Sequence, residues 1–332
     1  MASEKIPCIK CNNPARKFGK DKLGNQRHHC DTCGATFILQ KKEIRLDRAK
    51  VIRCLKLLVE GVSIRSIERL EDVNKETILH LLNVAGRRCI QVIQQYIVDV
   101  PVELIEADEV WAFVAKKQGH LTEEEREQGE KGDAYTFVAI EAKSKLVLCY
   151  HLGKRDLPNA MQFMEKLQKA TDGRFQLTTD GLKAYLGAVE ETFGADIDYA
   201  QLIKHYLSDE TGNLDRRYSP GDFVGATKQT ITGKPNMEKV STSYVERNNL
   251  TIRMSTRRLT RLTNAFSKKW ANLDMALAIN FAHYNFCKVH GSLRVTPCME
   301  AGITPHVWTW DELLGADFGL TRQGDDSPQQ SA

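Results

Sequence analysis

Long apolar runs are missing from this sequence. Nowhere do 18 apolar residues follow one another, so no helix of the roughly 20 apolar residues that a bilayer demands is expected. The start, MASEKIPCIKC, lacks the apolar core of a signal peptide, and the expected compartment is cytoplasmic. An even cysteine set is missing too: nine cysteines without a secretion signal argue against a disulfide framework. No internal repeat is evident, and only the tail QGDDSPQQSA has the composition of a disordered segment. Acids nearly vanish from residues 247–298, which hold 9 Lys and Arg against 1 Asp or Glu.

What remains is an ordinary globular composition, 42% hydrophobic and 27% charged over 332 residues, long enough for two or three domains at about 100–200 residues each. The net charge of +4 hides an uneven distribution. Residues 1–99 carry 19 basic against 11 acidic side chains, and residues 100–246 carry 25 acidic against 18 basic. Two basic segments flanking an acidic middle suit a protein that holds a polyanion and keeps a cation-binding centre. Solvated faces alone can also carry such charge.

Cys8-x2-Cys11 and Cys30-x2-Cys33, eighteen residues apart, have the spacing of a four-thiolate zinc site, each turn placing two thiolates on one knuckle. So short a segment needs the metal for its folding energy, and one structural Zn2+ in a zinc ribbon over 1–42 is expected. His28 and His29 adjoin Cys30; they are expected at the surface, although either can replace a thiolate. The other five cysteines read as small buried hydrophobes.

From Asp47 the apolar period becomes helical, with Val51, Ile52, Leu55, Leu58 and Val59 on one stripe and Gly61 ending it. Ser63 is the expected N-cap of a short helix to Leu70, and a third helix from about Lys75 to Arg88 turns Ile78, Leu81, Leu82 and Ala85 inward. Three helices with a short second link match a helix-turn-helix over 43–99 whose last helix enters a major groove. Lys75, Arg87 and Arg88 are its candidate DNA contacts.

Strands are expected at 102–114, 134–141, 145–151, 175–180 and near 197–203, with helices at about 158–170 and 182–192. That order is the ribonuclease H-like arrangement, a mixed five-stranded sheet within an α/β domain over 100–300. Residues 116–132 read as an exposed loop, 206–240 as a substrate-facing flap or dimer contact, and 301–332 as a C-terminal extension with a disordered end. The fold class is therefore multidomain α+β.

The first strand holds Glu103, Glu106, Asp108 and Glu109 among apolar residues, although burying unpaired charge is costly. Residues two apart share a face, so Glu106 and Asp108 point one way and Glu103 and Glu109 the other. Asp180 closes a later strand before Gly181, and Glu246 opens a helix on which Asn249 and Arg253 share its face. Asp180 can also be a turn residue, and Glu246 a partner of the helix dipole. Converging, Asp108, Asp180 and Glu246 supply hard oxygen ligands for two Mg2+ or Mn2+ ions, the set that in-line phosphoryl transfer uses. Arg253, Arg257, Arg258 and Arg261 would lay a basic surface beside them for a DNA backbone.

ADEVWAFV, TTDGLKAY and YVERNNLTIR, in that order behind the ribbon and the helices, resemble the transposases of small bacterial insertion sequences of the IS-one (InsAB) type, from about Cys8 to His290. The resemblance implies a DDE transposase in which Asp108, Asp180 and Glu246 hold the metal. Such enzymes bind terminal inverted repeats, cut a strand to free a 3′-hydroxyl, and join it to target DNA. The implied partner is double-stranded DNA, with no membrane, and the implied assembly is a homodimer or larger. A DNA-binding regulator without chemistry and a nuclease without joining activity are the alternatives.

Overall fold

The structure is a computed structural model and describes residues 6–20, 26–39, 46–207, 222–315 and 318. The chain divides into one compact unit up to Arg48 and a second from Ala49 to Phe318.

The first unit is a four-stranded antiparallel sheet, β1 (Ile6–Pro7), β2 (Pro14–Lys20), β3 (Gln26–His29) and β4 (Thr36–Phe37), in sequence order. Two tight knuckles precede β2 and β4. In each the cysteine carbonyl accepts an N–H from four residues on, Asn12 to Cys8 and Gly34 to Cys30, both at 2.9 Å. Among the described residues its buried core is Cys8, Ala15, Cys30 and Phe37, with Ile6, Cys11, Cys33 and Ala35 partly buried against it. So few apolar side chains leave room for His28, which is buried against Phe37 with ring centroids 5.8 Å apart rather than exposed as expected.

The second unit opens with α1 (Arg48–Val59), α2 (Ile64–Glu71) and α3 (Lys75–Tyr96). The Ser63 Oγ caps α2 by accepting the Ser66 N–H at 3.1 Å, and Ile78, Leu81, Leu82 and Ala85 are buried on α3. Packing ties these helices to the rest of the unit. Gly86 of α3 sits so close to α8 (Trp270–Ala282) that a Cβ there would lie 2.5 Å from the Met275 Cβ. Asn83 donates to Asn272 across the same contact. Gly61, at φ +72°, leaves no room for a side chain against the Met254 carbonyl. The boundaries expected at 99 and 300 therefore fall inside one compact unit. Gly86→Ala is expected to lower the stability of this unit by about 1–3 kcal/mol, because overpacking separates two helix backbones; urea unfolding measures it.

The main sheet is mixed and has six strands: β6 (Leu104–Val114), β7 (Gly132–Glu141), β8 (Val147–Gly153), β10 (Gln176–Thr179), β11 (Asp198–Tyr206) and β12 (Phe223–Thr232). They lie in the order β12, β11, β10, β6, β7, β8. β10 runs parallel to β6 and β11, and the other pairs are antiparallel. A small parallel pair, β5 (Val100–Pro101) with β9 (Thr171–Asp172), lies outside it. The sequence pattern predicts five strands; the sixth comes from the 206–240 segment, whose part at 223–232 pairs along β11. Residues 208–221 of that segment lie outside the described residues. The 116–132 excursion is not all loop either. It carries α4 (Glu123–Gln128), capped reciprocally by Thr122 and Glu125, and Lys116 and Lys131 both pair with Glu125 at 2.7 Å.

Register decides which face each side chain meets. Phe137 meets Phe163 of α5 (Leu157–Ala170) and Tyr185 of α6 (Lys183–Phe193). Tyr150, on the other face, stacks on Phe281 of α8 at 4.8 Å. α7 (Ser243–Ser255) crosses near β6. Beyond α9 (Pro297–Glu300), α10 (Trp310–Leu314) buries Trp310 against His283. Residues 319–332 lie outside the described residues. No helix among the described residues is long and apolar enough to cross a membrane.

Candidate active site

The four carboxylates of β6 and its approach have separate destinations. Glu103 is exposed. Glu106 is buried, and its Oε2 accepts the backbone N–H groups of Tyr244 and Val245 at 2.6 and 3.0 Å, capping α7 from a neighbouring strand. No local signal in the sequence announces that role, because the helix it caps begins far along the chain.

Asp108 lies opposite Val138 on the face that meets α7, where Asn249 donates to its Oδ2 at 2.8 Å. Glu109 lies opposite Phe137 on the other face, with its side chain 3% exposed. Its Oε1 and the Tyr185 hydroxyl are both buried and lie close enough to interact. The two faces converge because β10 ends at Thr179, paired with Ala107, so Asp180 stands beside β6 as the chain turns away. One oxygen each of Asp108, Glu109 and Asp180 lies within 4.8 Å of the others. Such a set can hold a divalent cation with water and phosphate completing the shell. Asp180 is also a turn residue, its Oδ1 accepting the Leu182 N–H at 2.9 Å.

Glu246 does not join this group. Its carboxylate is taken by the Thr242 hydroxyl and the Lys204 ammonium, and its side chain is 42% exposed. Its charge still reaches Asp108. Arg155 is the residue that sequence reading missed most plainly. Its Nε donates to Glu109 Oε2 at 3.0 Å and its Nη2 to Asp180 Oδ2 at 3.1 Å, while 41% of the side chain is exposed. A cation bound by Asp180 must compete with this guanidinium. Arg155→Ala is therefore expected to tighten divalent-cation binding up to about fivefold, the range of a partly exposed ion pair. Calorimetry reads it, and weaker binding would show that Arg155 supports the site instead.

Burial pushes the Asp108 carboxyl up to about 6, with Asp180 and Glu246 adding repulsion. Burial likewise pushes Glu109 up to about 7, and Asp180 adds to it. Both values exceed the ordinary 3.8 and 4.5, so the folded metal-free chain binds more protons than the unfolded one. Stability then falls as pH rises through this window. Between pH 5 and 7, chelator-treated protein is expected to lose about 1 kcal/mol or more beyond what its Glu109→Gln variant loses, at about 1.4 kcal/mol per pKa unit. Equal losses in urea unfolding would contradict the clustered acids.

Cys8, Cys11, Cys30 and Cys33 also converge within 4.8 Å. Cys8 and Cys33 are 3.6 Å apart at sulfur, and Cys11 and Cys30 3.5 Å, close to the roughly 3.8 Å edge of a tetrahedron with Zn–S near 2.3 Å. The Cys33 backbone N–H holds the Cys30 thiol down at about 6. The four thiols fit zinc, and neither histidine belongs to the group.

Of the candidate DNA contacts, Lys75, Arg87 and Arg261 are exposed, and Arg253, Arg257 and Arg258 are half-buried. Arg253 lies within electrostatic reach of both Asp108 and Arg261. Arg88 is half-buried beside Gly315, its Nε without a hydrogen-bond partner among the described residues. Lys75, Arg257 and Arg258 line one groove together.

No protein-family model matches the chain, and no curated protein matches it. Among solved structures it is similar to a chain of a pre-cleavage Mos1 transpososome, at 10% identity and TM-score 0.19, with 50% of this chain covered and 63% of that one. It is similar to endonuclease V from Bacillus subtilis at 15% identity and TM-score 0.23, covering 63% of this chain and 94% of that one. A third is the C-terminal lobe of a budding yeast Argonaute, at 9% identity and TM-score 0.24, covering 71% and 61%. At TM-scores this low, any functional reading rests on the site itself.

Proposed function

We propose that this chain is a ribonuclease H-like DDE transposase that cuts DNA at the terminal inverted repeats of an insertion sequence and transfers the freed 3′-hydroxyl to target DNA. The observation that carries the reading is the meeting of Asp108, Glu109 and Asp180 within 4.8 Å where two parallel strands adjoin. Asp108, Asp180 and Glu246 hold two Mg2+ or Mn2+ ions in this reading, and Glu109 joins them. Bound ions activate an attacking oxygen and stabilise a leaving one. The chain's own part is to fix the acids: Asn249 orients Asp108, and Glu106 anchors the helix that carries Asn249 and Glu246. The zinc ribbon and the helices α1–α3 bind double-stranded DNA through Lys75, Arg87 and Arg88, with Arg253, Arg257, Arg258 and Arg261 nearer the acids. The working form is a homodimer or larger.

One observation favours a DNA-binding regulator instead: Asp180 and Glu246 already have basic partners in Arg155 and Lys204. A strand-transfer assay separates the readings. Labelled duplex bearing terminal repeats, the full chain and Mg2+ are expected to give cleaved strands and joined products. Cleavage without joining indicates a nuclease, and binding without cleavage under Mg2+ or Mn2+ indicates a regulator.

A further inference from the structure

A groove of about 810 Å³ lies between α1–α3 on one side and α8 with the segment after α7 on the other, wholly inside the second unit. Its lining includes the apolar side chains of Leu58, Val59, Leu79 and Ile279. Phe266 forms part of the wall and is backed by Phe113, ring centroids 4.7 Å apart. The lining carries Arg65, Lys75, Arg257, Arg258 and Lys268 against one acid, Glu76. None of these five cations is ion-paired among the described residues.

Arg258 is the informative one. Its Nη1 donates to the Ser267 Oγ at 2.7 Å, but among the described residues its Nη2 is buried with no hydrogen-bond partner, and so is the Thr256 Oγ1 in the same lining. A guanidinium stays charged at neutral pH, and a buried donor left unmatched is costly. Both residues line the groove, and an anionic oxygen is the kind of acceptor that a guanidinium N–H or a threonine hydroxyl can donate to.

A clamp on duplex backbone needs only charge; here cations and apolar side chains line the same groove. In a duplex the base faces are stacked and out of reach, so only a base that has left its stack can lie against such side chains. The volume falls in the roughly 300–1,000 Å³ range of sites that enclose small organic ligands. Asn264 on the lining adds an amide donor and acceptor for a base edge. We propose that the groove holds one unpaired nucleotide of the DNA strand, with its phosphate on Arg258 and Thr256 and its base against the apolar side chains of the lining beside Phe266. This deepens the DNA reading above and rests on it.

The test uses the full chain carrying Asp180→Asn, without divalent cations, and a duplex with a single unpaired 2-aminopurine nucleotide. Binding is expected to be about tenfold tighter than to the blunt duplex, a gain within the range of one stacked base, with a change in 2-aminopurine fluorescence. Ala276→Phe, which fills the groove from α8, is expected to abolish the preference while duplex binding stays. Arg258→Gln should also abolish the preference, and because Arg258 is among the proposed duplex contacts it should weaken duplex binding too, with a shallower salt dependence; Ala276→Phe, which replaces no proposed duplex contact, carries the test if that variant does not fold. A nucleoside monophosphate should displace the probe nucleotide far better than inorganic phosphate or an Asp-rich peptide. Equal displacement by either competitor, no preference for the unpaired base, or a preference that survives Ala276→Phe would overturn the nucleotide site alone. Absence of all DNA binding would remove the proposed function with it.

Discussion

Asp180→Asn is expected to slow strand cleavage by at least about 100-fold, since even the outer-shell partners of a metal site contribute 10–100-fold. DNA binding and fold should survive, because Asn keeps the side-chain oxygen that accepts the Leu182 N–H. What the substitution removes is the charge that faces Asp108 and Glu109. With one repelling neighbour gone, both should titrate lower, a change that NMR of the carboxyl carbons can follow. Unchanged cleavage by the variant would show that the chemistry does not use these acids. The same assay on Glu246→Gln asks whether an acid paired with Lys204 takes part when DNA and metal are present.

Zinc removal is expected to unfold the first unit entirely while leaving the second folded. Among the described residues, two of the four buried core side chains of the ribbon are cysteines, so without metal there is too little apolar surface to offset chain entropy. Structural zinc supplies roughly 10–16 kcal/mol in comparable sites. Purified protein should carry one zinc per chain, and a chelator or Cys30→Ser should render residues 6–39 protease-sensitive. Resistance of the ribbon after demetallation would mean that the four thiols are not its folding core. Because the second unit holds its own core, its urea unfolding should not move.

The parts of this molecule that are legible in its sequence are those written over a few residues. A Cys-x2-Cys pair determines its own knuckle, and the two knuckles form where their spacing places them. Helical and strand periods locate most of the longer elements from Val51 to Ile203, since side-chain direction repeats every turn or every second residue, but they miss α4 and the far end of α3. Asp180 before Gly181 marks a strand end, and Asp108 in an apolar strand marks an acid in need of a partner.

What the sequence by itself determined is therefore local: the metal-ligand spacing, the order of strands and helices, and the faces on which Asp108 and Glu109 sit. Tertiary structure alone decided which charges meet. It brought Glu109 to Asp180 from the opposite face, turned Glu106 to a helix end, drew Glu246 toward Lys204, and set Arg155 across two acids. It also merged the three helices with the sheet through a glycine that lets α3 touch α8. The reason is physical. Register and close packing are settled by the whole sheet and its helices at once, and a carboxylate's partner depends on distances in space that no short stretch of chain encodes.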